Sequence, residues 1–119
     1  MADDYRRRQA FPTVQFSDEQ QRVLLCELRR IAPQLSMELI AAGLDASHVH
    51  TVIAWRDDRT GVSFRRNIKH WLTRKLNEHE TRPWFVRKGS VKLVRTKAHL
   101  SYLRTTYLPD HKLFWDRSR

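Results

Sequence analysis

The chain has 119 residues, the size of one ordinary domain, and 40% of them are apolar, enough for one modest core. Twenty-three Lys and Arg against 13 Asp and Glu leave a net charge of +10, which points to a polyanionic partner, nucleic acid first. No run approaches the roughly 18 apolar residues of a membrane span, the charged start (Asp3, Asp4, Arg6, Arg7, Arg8) does not read as a signal peptide, and one cysteine excludes an internal disulfide and a Cys-based zinc site, so a soluble cytoplasmic protein is expected.

Residues 1–16 read as a basic N-terminal arm, and residues 17–119 as a single domain. Ser17-Asp18-Glu19-Gln20 has the form of a capping box, and Leu24, Leu28 and Ile31 follow at helical spacing up to Pro33, which predicts a helix over 18–32. Cys26 sits among Val23, Leu24, Leu25 and Leu28 and is expected to be a buried thiol. Leu35–Ala42 alternates weakly, with Met37, Leu39 and Ala41 on one side. Gly43–Ser47 is a turn, and His48–Trp55 is rich in β-branched residues, so a hairpin is expected.

A polar loop at 56–61 leads to Phe64, Ile68, Trp71, Leu72 and Leu76, one face of a helix of about four turns. Arg65, Arg66, Lys69, Arg74 and Lys75 fall on its other faces. Thr81-Arg82-Pro83 breaks the helix, and Trp84–Val94 has strand character around Lys88-Gly89. Thr96 can cap a last helix carrying Leu100, Leu103 and Tyr107, which Pro109 ends, and Leu113-Phe114-Trp115 can pack back as a cover. The order helix, strand, strand, helix, strand, helix predicts an α+β, ferredoxin-like split βαβ fold, an antiparallel sheet with helices packed on one face.

His48-Val49-His50 carries the most chemistry. Two histidines two residues apart point about 200° apart on a helix but to the same side of a strand, with Cα atoms roughly 6.5–7 Å apart. At that spacing two imidazoles can share one metal ion, and imidazole favours Mn, Ni or Zn over Mg. The bland alternative is a pair of edge-strand histidines with no ligand.

Asp45-Ala46-Ser47-His48-Val49-His50-Thr51-Val52-Ile53 resembles the PDHVHLLI-type strand of single-tyrosine HUH transposases, including their REP-associated relatives. Ile68-Lys69-His70-Trp71-Leu72-Thr73-Arg74-Lys75-Leu76-Asn77 is similar in character and place to that family's basic helix, and Trp84 and Lys97–Tyr107 resemble the strand and tyrosine helix that follow. The resemblance spans about residues 17–111.

It implies single-stranded or hairpin DNA as partner, a homodimer, and a divalent ion, Mg or Mn, held by His48 and His50. It also implies a tyrosine nucleophile that forms a 5′-phosphotyrosine. Tyr107 is the candidate nucleophile. His111, four residues on, stands where the family has Gln and is the candidate third ligand. Tyr102 is the rival tyrosine, Tyr107 could equally be a core residue on the Leu100–Leu103 stripe, and Pro109 forbids a regular helix between Tyr107 and His111. Arg65, Arg66, Lys69, Arg74, Lys75 and Lys88 are the candidate DNA contacts, while Trp71 and Trp84 are expected in the core and His70, His79 and His99 at the surface.

Two other readings remain open. Leu39, Gly43, Leu44, Val49 and Val52 match the spacing of a helix-turn-helix unit, with residues 47–55 as recognition helix, although the β-branched run suits a helix poorly. A non-enzymatic basic nucleic-acid- or protein-binding module needs only the charge and a stable fold.

Overall fold

Three antiparallel strands in the order β2-β1-β3 form the centre of the protein, and helices lie against them. A computed structural model describes residues 15–85 and 90–119. Among these, no helix is long and apolar enough to cross a membrane.

The first helix, α1 (Asp18–Gln34), starts at the expected capping box. The Ser17 hydroxyl accepts from the Gln20 amide at 3.1 Å, and the Ser17 amide donates to the Gln20 side chain at 2.9 Å. The helix runs two residues past its expected end because the Leu35 amide still reaches the Ile31 carbonyl, closing the last turn around Pro33. Leu24, Leu28 and Ile31 are fully buried. Cys26, expected in the core, is exposed: two residues from Leu24, it falls on the opposite side of the helix.

β1 (Glu38–Leu44) and β2 (Val49–Ala54) form the hairpin, which removes the helix-turn-helix alternative. β1 begins later than expected. Ser36 takes a left-handed φ of 52°, and the Arg59 guanidinium donates to the Leu35 and Ser36 carbonyls at 2.6 and 3.1 Å, so those groups are unavailable to the sheet. Ile40 is an extra residue in β1, since Leu39 faces Ile53 while Ala41 faces Val52. The bulge breaks the expected alternation. Leu39, Ala42 and Leu44 belong to one core, and Ile40 and Ala41 to another.

α2 (Gly61–Leu76) is capped by Thr60, whose hydroxyl accepts from the Ser63 amide, and buries Phe64, Ile68, Leu72 and Leu76 as its period predicts. It packs with α1 over the first face of the sheet. Phe16 completes this core, stacked on Trp84 at 6.3 Å, with its amide on the Ala46 carbonyl, so the ordered domain reaches back to the last residue assigned to the arm.

The third strand lies elsewhere than expected. The described residues of 84–94 form no strand, and Lys88-Gly89 lies outside the described residues. Trp84 is buried instead, its indole N–H donating to Asn77 Oδ1 at 2.9 Å. The tail expected as a cover is itself β3 (Leu113–Asp116), antiparallel to β1. β2 and β3 both run antiparallel to β1, so they are parallel to each other with β1 between them. That is a split βαβ unit with its strand drawn from the end of the chain.

The segment before β3 starts as α3 (Lys97–Tyr102), capped by Thr96 as expected, widens to a π turn over Leu103–Tyr107 and tightens to a 3-10 turn over Leu108–Asp110. α1 and α2 make the expected helical layer. The α3 segment adds a smaller layer on the second face, because Leu100, Leu103 and Leu108 need cover and find it against Ile40, Ala41, Val52 and Phe114.

A bidentate ion pair, Arg104 Nε and Nη2 on Asp116 at 2.8 and 2.7 Å, ties this layer to β3. The Arg104 guanidinium holds the buried Asp116 carboxyl well below the usual carboxylate range. The resulting stabilisation is complete above the ordinary Asp value of 3.8 and is lost as pH falls through the depressed one. Acid titration of Tm should therefore show a limb below that value that is much reduced in Asp116→Asn. Leu72→Ala, which empties a fully buried site, should cost about 2–5 kcal/mol by urea denaturation.

Candidate active site

Four side chains meet on the second face of the sheet: His48, His50, Tyr107 and His111. His48 ends the hairpin turn and His50 is the second residue of β2, so both point to the same side, with rings 5.5 Å apart and nearly parallel. The turn that presents His48 is built by Asp45. Its Oδ1 accepts from the Ser47 and His48 amides at 3.0 and 2.8 Å. The same oxygen lies 3.2 Å from His48 Nδ1, with Ser47 Oγ at 2.8 Å.

Tyr107 and His111 arrive from the other end of the chain, and backbone geometry brings them there. The Leu108 amide bonds the Leu103 carbonyl, five residues back, which makes the turn wider than an α-helical one. The register slips by about one residue, so Leu108 takes the inward place that regular spacing gives Tyr107. Leu108 is 1% exposed and Tyr107 39%. Of the two alternatives for Tyr107, core or boundary tyrosine, the ring is not in the core. Pro109 does not separate Tyr107 from His111. It starts the 3-10 turn, whose His111 amide bonds the Leu108 carbonyl at 3.0 Å, and the ring centroids lie 5.2 Å apart.

The rings close the cluster edge to face. His50 lies 5.6 Å from Tyr107 and 5.0 Å from His111. Tyr102 stacks on Tyr107 at 6.4 Å, one ring removed from the imidazoles, so Tyr107 is the phenol placed beside them. Gly43 makes the close approach possible. It pairs with His50 across the hairpin, and a Cβ on it would lie 2.9 Å from His111 Cγ and 3.1 Å from a Leu108 methyl.

Burial lowers the His50 pKa, with the positive character of His111 and His48 acting in the same direction against Asp45. His50 is therefore a neutral imidazole at pH 7. His111 Nδ1 lies 3.1 Å from the Tyr107 carbonyl, an acceptor only, so Nδ1 carries a proton in that contact. Oxygen acceptors behind Nδ1 are what orient imidazoles that bind metal. Among the described residues no three His, Cys, Asp or Glu side chains converge on one point. Three imidazoles are donors of the type a divalent ion takes, but as placed here they do not form a ligand set.

The candidate DNA contacts are not brought to this cluster. Arg65, Arg66, Lys69, Arg74 and Lys75 lie on α2, over the opposite face of the sheet. Arg66 and Arg74 are exposed, Arg74 over the Trp71 ring at 5.2 Å, and Lys75 pairs with Glu78 at 3.4 Å. Burial, then the neighbouring Arg65, lowers the Lys69 pKa. Lys88 lies outside the described residues. His70, His79 and His99 are at the surface, as expected.

No protein-family model, curated protein or solved structure matches the chain. Sequence reasoning missed Gly43, whose role is visible only across the sheet, and Asp110, which lines a cavity beside Tyr107. The Asx turn of Asp45 was legible, since an Asp two and three residues before Ser47 and His48 can accept from both amides.

Gly43→Val should fold with a loss of about 1–3 kcal/mol, since the Leu108 and His111 side chains must move. Histidine ring signals in NMR should report the change as a large shift confined to His111 and His50, with His70 and His79 unmoved.

Proposed function

We propose that this protein binds single-stranded or hairpin DNA and cuts and rejoins one strand through a covalent 5′-phosphotyrosine on Tyr107. One observation carries the reading: a partly exposed tyrosine stands in ring contact with His50 and His111, beside a same-side His48–His50 pair, in a strongly basic chain. The resemblance of the His-Val-His strand and the helix after it to single-tyrosine HUH transposases supports the same chemistry. The family's homodimer and a cytoplasmic place of action come with this proposal.

The Tyr107 hydroxyl gives its proton to water, and its oxygen bonds to phosphorus. The bond from phosphorus to the 3′ oxygen breaks, and that oxygen takes up a proton and leaves as a free 3′-hydroxyl. The phosphodiester energy is kept in the tyrosine ester, so the reverse attack by a 3′-hydroxyl reseals a strand. When bound through His48, His50 and His111, a divalent ion such as Mg or Mn supplies positive charge that polarises the phosphate. The exposed cations of α2 serve the sugar-phosphate backbone at a distance from the reacting group.

The test is incubation with labelled single-stranded hairpin DNA and Mn²⁺, followed by SDS electrophoresis. The expected result is an SDS-resistant adduct that is absent in Tyr107→Phe and strongly reduced in His48→Ala. An adduct of wild-type yield in both variants would remove the assignment. Salt-dependent DNA binding without any adduct would favour the non-enzymatic binding module.

A further inference from the structure

Beside the Tyr107 ring lies an open cavity of about 420 Å³, lined by Asp45, Tyr102, Thr106, Tyr107, Asp110 and His111. Its walls differ from the rest of the protein. Among the described residues no Lys or Arg lines this cavity. Two of its six lining residues are carboxylates, Asp45 and Asp110.

The aromatic wall is made by the wide turn. Tyr102 and Tyr107 are five residues apart, a spacing that a π turn, unlike an α turn, puts on one face. Their rings are 29° from parallel with centroids 6.4 Å apart, and Tyr102 is 52% exposed. Tyr102 thus presents half of its ring to solvent beside the cavity. It is a ready platform for a flat partner.

We infer that this cavity takes one unstacked nucleobase of the DNA strand, stacked on Tyr102, and favours a base with an exocyclic amine that donates to the Asp110 carboxylate. A carboxylate accepts from such an amine, as on cytosine, whereas the single N3–H of an unpaired thymine is flanked by two carbonyl oxygens that oppose a carboxylate. Asp45 Oδ1 is held by the amides of its turn, and Asp110 is the carboxylate we assign as the reader. The inference rests on the DNA-strand reading proposed above and adds to it the residue that positions the base and the chemistry that selects it.

The experiment is fluorescence anisotropy with labelled oligo(dC) and oligo(dT) of equal length at fixed salt. Wild-type protein should bind oligo(dC) several-fold more tightly. Tyr102→Ala should weaken oligo(dC) binding about tenfold, the scale of one lost base stack, while Tyr102→Phe should bind like wild type. Asp110→Asn should narrow the gap between the two strands. Unchanged oligo(dC) binding in Tyr102→Ala, or equal binding of both strands by the wild type, would overturn the base pocket. If the adduct of the previous test still forms, the strand-cleavage reading survives that result. A wild-type protein that binds neither oligonucleotide overturns both.

Discussion

The bond from the Leu108 amide to the Leu103 carbonyl sets where every functional side chain at the C-terminal end of the chain goes. An ordinary helical turn there would bury Tyr107 on the leucine stripe and leave Leu108 in solvent. The wide turn exchanges them. Leu108 fills the small core beneath, and Tyr107 stands at the surface beside the imidazoles. The turn needs anchors on both sides. Arg104, inside it, grips Asp116 of β3, and the Thr105 hydroxyl donates to the Ser101 carbonyl at 2.7 Å, a contact that bends helices.

β1 is the element that makes two faces work at once. It is the central strand, and every residue after Glu38 is buried. The extra residue at Ile40 lets consecutive apolar side chains serve opposite cores, so Leu39 and Ala42 meet α1 and α2 while Ile40 and Ala41 meet the α3 segment. The small residues of Ala41-Ala42-Gly43 let both layers come close. At Gly43 this closeness becomes functional geometry, because the His111 ring lies where a side chain would be.

Charge is sorted between the two faces. The Arg and Lys residues of α2 lie over one, and the imidazoles, with Asp45 and Asp110, over the other. Long-range attraction of a polyanion needs only the net charge. The histidine cluster has oxygen atoms behind two of its three rings, which orient them. A site that was itself strongly basic would hold a strand anywhere along its backbone.

By itself the sequence determined the elements whose signals are local: the Ser17 capping box, the buried stripe of α2, the Thr96 cap and the extended His-Val-His segment. Each depends on side chains within one or two turns of one another, so spacing suffices. It also brought His48, His50, Tyr107 and His111 into one hypothesis, although the last pair rested on resemblance. Only tertiary structure decided the rest. Leu113–Asp116 becomes a strand because β1 has a second edge to fill, Cys26 is exposed because the helix turns it from the core, and Ala41 changes face at a bulge that no local pattern marks. Tyr107 joins the imidazoles because a wide turn and a glycine on a distant strand make room together, and that coincidence exists only once the chain has folded.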